Sequence, residues 1–483
     1  MQQVKNLRVI GLNIAIFLLP FLEFIKDNFN EKDIILTESF FYLTIIFCFI
    51  LVLLSYFVFL LKRELNFLHC LLISTISFYL LFKHNLFKTI INFFFGNENP
   101  DYNLSSEISL ILVLILIITT YRLIKNNNIF FKRFSYVFFY LSLILILFQL
   151  FFFQDVKKID LKSSSIIYSS TKDIKKNNIY FVILDAMIPI KNFEKHYDMS
   201  LNNFINDIED LDYKYIHDTN NLYDNTAYNL TSLFNLDEIL KNDELPQNKY
   251  LYPSMLRNIE KTNLFKNLSS LEYNFKWAGN LFAYCPKFNL RYCLDKDKKG
   301  IIDIYLSLNF LQKSPFIPIA THLANFFNFN FNKYLFFELN DGIGRLVNFL
   351  INQENNVEDK PNFYFIHHMS PHYPYVTDKD CSYKFYSGKK NFEGYKSAYL
   401  CNLKKIKLMS NYLNEKDPEA IVIFQSDHSW GMSKDKKEKK MIFNLIKLDE
   451  NCKMNDDVNY HHVNTLRLVL SCLTNQNVNY LNN

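Results

Sequence analysis

No basic tract in this chain coincides with a nucleic-acid-binding motif, and its net charge is only +5. That excludes nucleic acid as its partner. No C-x-x-C pair occurs, so the eight cysteines do not read as a zinc ribbon or finger. Internal repeats and low-complexity tracts are absent as well. Glycine is scarce, 9 of 483 residues, beside 49 Phe and 31 Tyr. With abundant Asn, Lys and Ile, this is the composition of an AT-rich genome, and the phenylalanine content is not read as functional.

Charge is missing from five long apolar runs, at residues 9–25, 39–61, 66–82, 107–123 and 135–153. Each is long enough to cross a hydrocarbon core as a helix. The third is the shortest and is interrupted by His69, Ser74, Thr75 and Ser77. The near absence of charge inside the runs disfavours a transporter, which needs ionisable groups at membrane depth. Lys5, Arg8, Lys62, Arg63, Arg122, Lys125, Lys132 and Arg133 all fall on one side of a five-span arrangement. The positive-inside rule then places the N-terminus in the cytoplasm and the residues beyond about 155 outside. The first run lacks a clear cleavage site and reads as an uncleaved anchor. The expected organisation is a membrane domain at 1–155, a linker at 156–177, a catalytic domain at 178–475 and a tail at 476–483. The expected location is the inner (cytoplasmic) membrane, multi-pass, with the C-terminal domain on the extracytoplasmic, periplasmic side.

Cysteine usage agrees with export. Cys48 and Cys70 lie in apolar runs, leaving Cys285, Cys293, Cys381, Cys401, Cys452 and Cys472. An even number in an exported domain points to disulfides. Local spacing favours Cys285–Cys293, Cys381–Cys401 and Cys452–Cys472, although six cysteines allow on the order of fifteen pairings.

Three short, continuous apolar runs in the second half fit strands buried on both faces: NIYFVILDAM from 178, NFYFIHHM from 362 and AIVIFQSDHS from 420. Helical patterns lie between them, at 198–211, 226–241, 254–269 and 393–415. Alternation of this kind predicts an α/β domain with a mostly parallel sheet. In such sheets, sites form beyond the C-terminal ends of the strands. All three runs put polar residues there: Asp185; His367 with His372; and Asp427 with His428.

Each of these residues has an ordinary reading. Asp185 could cap a following helix. Asn225 or Thr226 could cap the helix that begins NTAYNLTSLFN. His372, in the loop PHYPY, could be a surface histidine. His367 and His368 point to opposite faces if both are on the strand, so only one can face the site. The basic run KDKKEKKM at 434–441 reads as a solvated loop or as a face for lipid headgroups. Taken together, a strand-end carboxylate, a hydroxyl at a helix start and an Asp-His pair form a ligand set for a divalent metal beside a nucleophile. Zinc or manganese suits the mixed oxygen and imidazole donors best, with magnesium as the next candidate.

In this order VILDAM, NTAYNLTSLFNLDEIL, FYFIHHMSPHYPY and IVIFQSDHSWG resemble the sulfatase-like branch of the alkaline phosphatase superfamily. The nearest look is to membrane-anchored lipoteichoic acid synthases and phosphoethanolamine and phosphoglycerol transferases. The ending NYHHVNTLRLVLSCL looks like the close of such domains. The resemblance implies a multi-span α-helical membrane anchor followed by a sulfatase-like α/β domain. It also implies one divalent metal held by Asp185, nucleophilic Thr226, Asp427 and His428. His372 is then the catalytic, phosphate-binding histidine, with His367 helping to bind substrate. The implied reaction moves a phosphoethanolamine- or phosphoglycerol-type group from a phospholipid to a glycan or lipid acceptor through phospho-threonine. The alternatives are a phosphodiester hydrolase and an inactive, membrane-anchored binding module.

The pattern is not followed everywhere. The C/S-x-P-x-R signature of true sulfatases is absent, which disfavours sulfate ester hydrolysis. Ser429 replaces the usual Gly after Asp-His, at a cost if the backbone there is left-handed. No histidine occurs between His428 and His461, which argues against a second metal.

Overall fold

The computed structural model describes residues 2–27, 38–61, 67–82, 176–239, 259–278, 333–338, 341–353, 360–386, 390–433, 435–449 and 461–481, with a few isolated positions between them. The chain divides into two compact units, one containing Met1–Ile159 and the other Asp160–Gln247 and Asn330–Asn483.

In the N-terminal unit three helices coincide with the first three apolar runs: α1 (Gln2–Asp27), α2 (Glu38–Leu61) and α3 (Phe67–Phe82). Leu12 and Ile16 of α1 pack against Cys70, Leu72 and Ile73 of α3. Phe17, Phe21, Phe47, Phe78 and Phe82 join in an aromatic cluster. Two of the polar interruptions of the third run are satisfied within the helix: Thr75 and Ser77 donate to the carbonyls of Leu71 and Ile73. Among the residues described, side chains included, no helix is long and apolar enough to cross a membrane. The fourth and fifth runs and nearly all of the expected linker lie outside the described residues.

The second unit is built on a six-stranded sheet of order β2-β8-β7-β1-β4-β3. Its strands are β1 (Ile179–Leu184), β2 (Lys214–Tyr215), β3 (Asn274–Ala278), β4 (Asn362–His368), β7 (Ile421–Ser426) and β8 (Asn444–Lys447). A separate hairpin pairs β5 (Tyr375–Thr377) with β6 (Tyr383–Tyr386). β1 pairs in parallel with β4 on one side and β7 on the other, and β3 is parallel to β4. Only the edge departs from this: β8 is antiparallel to both β7 and β2. The three predicted runs are the three central strands, and every residue of β1, β4 and β7 is buried.

Strand alternation sorts the side chains between two layers. Tyr180, Val182, Leu184, Tyr364, Ile366, Val422 and Phe424 share one core with Tyr395, Tyr399, Ile406 and Met409 of helix α9 (Phe392–Lys416). On the other face Phe365 and Trp277 meet Phe234 of helix α6 (Thr226–Asn235). The remaining α-helices among the described residues of the unit are α4 (Ile190–Tyr197), α5 (Asn202–Glu209), α7 (Asn263–Ser270), α8 (Gly342–Gln353) and α10 (His462–Thr474).

Helix boundaries differ from the periodicity. The pattern at 226–241 yields a helix that stops at Asn235, because Leu236 turns left-handed (φ 57°) and returns its N–H to Leu233 and Ser232. Of the pattern at 254–269, residues 254–258 lie outside the described residues; a 3-10 turn at Ile259–Lys261 leads to α7, whose first turn Thr262 caps. The pattern at 198–211 narrows to α5, and α4 precedes it unpredicted.

Cys381–Cys401 and Cys452–Cys472 are disulfides, as their spacing favours. Cys293 is also disulfide-bonded, while Cys285 lies outside the described residues. Cys48 and Cys70 are free.

Candidate active site

Register brings the site together. Leu184 of β1 is level with His368 of β4 and with Ser426 of β7. The next residues, Asp185 and Asp427, therefore emerge side by side at the C-terminal edge of the sheet. Ala186 follows with φ 61°, a left-handed conformation uncommon outside glycine. It is held there from both sides: its N–H donates to Asp427 Oδ1 at 3.2 Å, and its carbonyl accepts from Tyr395 at 2.9 Å. Met187 N–H donates to Ser426 Oγ, which donates in turn to His428 O. The turn after β1 and the turn after β7 thus fix each other.

Asp185 caps no helix; α4 begins at Pro189 without a side-chain cap. His428 Nε2 lies 3.1 Å from Asp185 Oδ1 and 3.7 Å from Asp427 Oδ2, and His367 Nε2 lies 3.7 Å from Asp185 Oδ2. Asp185, His367 and Asp427 are almost wholly buried. His372 is brought in by the loop after β4, between two cis prolines, Pro371 and Pro374. Its ring stands edge-on to His428, centroids 5.9 Å apart.

Two overlapping sets could hold a cation, Asp185 with His372 and His428, and Asp185 with His367 and Asp427. Within each set the ligand atoms lie within 4.8 Å of one another. The donors fit a divalent metal. Asp427 Oδ2 is buried without a hydrogen bond, an unfavourable state for a carboxylate unless a cation meets it. His428 Nδ1 donates to Ser429 O at 2.9 Å, the usual second contact that leaves Nε2 as the ligating nitrogen. Burial opposes charge on both Asp185 and His428, yet their mutual attraction wins. His372, His428 and His367 hold the Asp185 carboxyl at about 2, and Asp427 and Asp185 lift His428 to about 10. The two carboxylates thus collect positive charge. Burial pushes His367 below its ordinary value.

Thr226 is the first residue of α6, on the same face of the sheet as Phe365 and His367. Asn225 is the cap, accepting from Ala227 N–H at 2.8 Å. The Thr226 hydroxyl is therefore not used for capping and makes no hydrogen bond among the described residues. Thr231 is spent on the carbonyl of Ala227 within the helix. Asp224, two residues before Thr226, lines the same cavity as His372 and His428.

That cavity, about 430 Å³, is walled by Ala186, Tyr373, Tyr375, Trp430, Lys390 and Lys439 as well. Asp224, Lys390 and the aromatic wall were not singled out from sequence. The only signal was proximity, Asp224 to Thr226 and Trp430 to His428. Ser429 does not take the left-handed backbone feared for it; it is absent from the positive-φ residues and donates to Glu438 O at 2.8 Å.

Residues 331–455 match the family model described as Sulfatase. The chain carries a sulfatase-like domain of the alkaline phosphatase superfamily. No curated protein matches it by sequence. Among solved structures, it is similar to the integral membrane protein lipooligosaccharide phosphoethanolamine transferase A from Neisseria meningitidis (11% identity, 77% of this chain, 68% of that one, TM-score 0.42). It is also similar to the C-terminal periplasmic domain of a phosphoethanolamine transferase from Campylobacter jejuni (10%, 65% and 100%, 0.38). A third is the zinc complex of the C-terminal periplasmic domain of EcEptC from Escherichia coli (10%, 65% and 85%, 0.39).

Proposed function

We infer that this sulfatase-like domain transfers a phosphoethanolamine- or phosphoglycerol-type group from a phospholipid to a glycan or lipid hydroxyl, with Thr226 as nucleophile. The observation that supports this is a buried pair of carboxylates with three imidazoles at the C-terminal ends of β1, β4 and β7; the Thr226 hydroxyl, at the start of α6 and not used for capping, is the nucleophile this reading assigns.

A divalent metal held by Asp185, Asp427 and His428 beside Thr226 would supply Lewis-acid neutralisation of phosphoryl charge. Thr226 Oγ1 attacks the phosphorus of the donor phosphodiester, its proton passing to solvent. The bond to the diacylglycerol oxygen breaks, and His372 donates the proton that oxygen takes. Free N–H groups in the first turn of α6 favour the negative phosphoryl group. The acceptor hydroxyl then attacks phospho-Thr226 and gives its proton to His372, and Thr226 leaves and regains its own from solvent. His367, at van der Waals depth beside Asp185, orients the carboxylate.

A bilayer setting for the N-terminal unit is part of the same reading. Phe49, Ile46, Leu53 and Tyr56 of α2 are 49–62% exposed on the described unit, a face better suited to lipid than to water. A tethered domain meets a lipid donor at raised effective concentration. We place the domain boundaries near 155 and 178 and the catalytic part on the periplasmic side.

The test is peptide mass spectrometry of the detergent-purified protein after incubation with mixed phospholipids. A phosphoethanolamine or phosphoglycerol adduct on the Thr226 peptide is expected. Absence of any adduct on a metal-loaded protein would overturn the transferase reading in favour of hydrolysis, and absence of metal as well would favour a binding module.

A further inference from the structure

The pairing of β1 with its neighbours ends at Leu184, and the last bond of the ladder runs from Asp185 N–H to His368 O at 3.0 Å. Beyond it the buried backbone of residues 186–190 still has to be satisfied, and tyrosine hydroxyls from distant parts of the chain do much of this. Tyr215 accepts from Ile190 N–H at 2.8 Å, and Tyr399 donates to Ile188 O at 3.1 Å. Tyr395 serves two groups at once: it donates to Ala186 O at 2.9 Å and accepts from Ile188 N–H at 3.1 Å.

The place of Ala186 gives the Tyr395 bond its weight. Two peptide planes flank Ala186, and one hydrogen bond holds each: its N–H to Asp427 Oδ1 and its carbonyl to Tyr395. Together they keep it at φ 61°, a conformation that disfavours a residue with a Cβ. The bond to Ala186 also fixes Asp427, leaving Oδ2 on the side of His428 at 3.7 Å. One turn therefore aims both carboxylates, Asp185 by preceding Ala186 and Asp427 by bonding to it. Tyr395 is itself immobilised. It is wholly buried, its ring stacks on Trp430 with centroids 4.4 Å apart, and it stands edge-on to Tyr375 at 6.0 Å. Gly394 permits this packing, since a Cβ there would lie 2.8 Å from Tyr375 Cδ2 and from Tyr386 Cβ. Burial holds the Tyr395 phenol protonated, so its oxygen keeps a proton to donate.

We propose that Tyr395 is a positioning residue for the acidic cluster, its hydroxyl fixing the Ala186 turn so that Asp185 and Asp427 face one cation. Hydrogen bonds behind the ligands set their orientation and with it the affinity for the metal. The inference rests on the reading of Asp185, Asp427 and His428 as metal ligands. It is independent of which group is transferred and of the nucleophile.

Titration of the zinc-loaded, full-length protein with a chromophoric chelator tests it without requiring turnover, with Tyr395→Phe beside Tyr273→Phe. Both variants keep the ring and lose a hydroxyl that donates to a backbone carbonyl. Tyr273 bonds Asn177 O at 2.8 Å, at the opposite end of β1, so it reports what a purely structural hydroxyl contributes. Tyr395→Phe is expected to weaken zinc binding roughly ten- to a hundred-fold and Tyr273→Phe less than about two-fold, while Tm falls in both. Adding Ala186→Gly to Tyr395→Phe should recover part of the lost affinity, because glycine takes the left-handed conformation freely. Zinc binding by Tyr395→Phe as tight as the parent's, an equal loss in both single variants, or no recovery in the double variant overturns this inference alone. A parent that holds no zinc overturns the metal reading and this inference with it.

Discussion

His367 and His368 are consecutive on β4, both buried, and lead to opposite chemistries. His368 faces α9. Its Nε2 meets Asn402 at 3.2 Å and its Nδ1 lies 3.4 Å from Asp341, which also takes Lys405 Nζ at 2.8 Å and Gly344 N–H at 3.0 Å. His367 faces Asp185 and Asp427, with no lysine or arginine among the groups that shift its titration. One group of buried charges carries its own cation. The other has two carboxylates and imidazoles alone. That difference separates a network that holds the chain from a cluster whose donors fit a divalent metal. Asn402 also donates to Ser370 O at 2.6 Å, so the satisfied network steadies the loop that presents His372 to the unsatisfied one.

Substitution on each side should break the comparison in opposite ways, and the largest effect belongs to the acidic cluster. Asp427→Ala is expected to lose the metal by elemental analysis and at least about a thousand-fold of turnover, roughly 4 kcal/mol, while remaining folded. Full metal occupancy in that variant would remove Asp427 from the site. Thr226→Ala should lose comparable activity but keep the metal through the remaining ligands. Unchanged turnover would end the nucleophile assignment. Neither change should approach the stability cost of reduction: opening the disulfides Cys381–Cys401 and Cys452–Cys472 is expected to cost about 3 kcal/mol each, read as a lowered Tm with reductant. An unmoved Tm would show that they are not structural.

What was legible in the sequence follows from these contrasts. The central strands could be read because both faces are apolar and polar residues appear abruptly at their ends. β2, β3 and β8 could not, since strands of two to five residues carry too little pattern. Asp185, Asp427, His428 and His372 stood out by their positions after strands. The meeting of Asp341, Lys405 and His368 did not, because it depends on α8 and α9 approaching β4 from afar in sequence. Gly342 permits that approach: a Cβ there would sit 2.6 Å from the carbonyl oxygen of His367. Helix ends were misjudged where a non-glycine, Leu236, adopts the left-handed conformation that sequence patterns reserve for glycine.

Asp341→Asn probes the satisfied side. It should leave metal content unchanged and cost about 2–3 kcal/mol, since it removes one member of a mostly buried pair. The same network sets an acid limit. Burial and Lys405 hold His368 neutral down to about 3, and Lys405 and His368 overcome burial to hold Asp341 at about 2. Both folded values lie below the unfolded ones, so the unfolded chain binds more protons as pH falls. Stability is full above about 6.5 and is lost first through His368 and then, below about 4, through Asp341. Thermal melts from pH 7 to pH 3 should show this decline, and His368→Gln should flatten its upper part. An identical profile in that variant would mean that His368 is charged in the fold.

The smallest expected effect concerns the basic loop. The Lys195 and Ser433 hydrogen bonds hold the Glu438 carboxyl at about 2 against an ordinary 4.5. Its contribution is therefore present above pH 4.5 and lost as pH falls toward 2. Because Lys195 is largely exposed, Glu438→Gln should cost only about 1 kcal/mol. Its informative consequence is in acid: melts of the variant should lose the part of the decline that Glu438 contributes below about 4.5, while Tm at pH 7 barely changes. A variant whose acid decline matches that of the parent would show that Lys195 and Ser433 do not hold Glu438 charged.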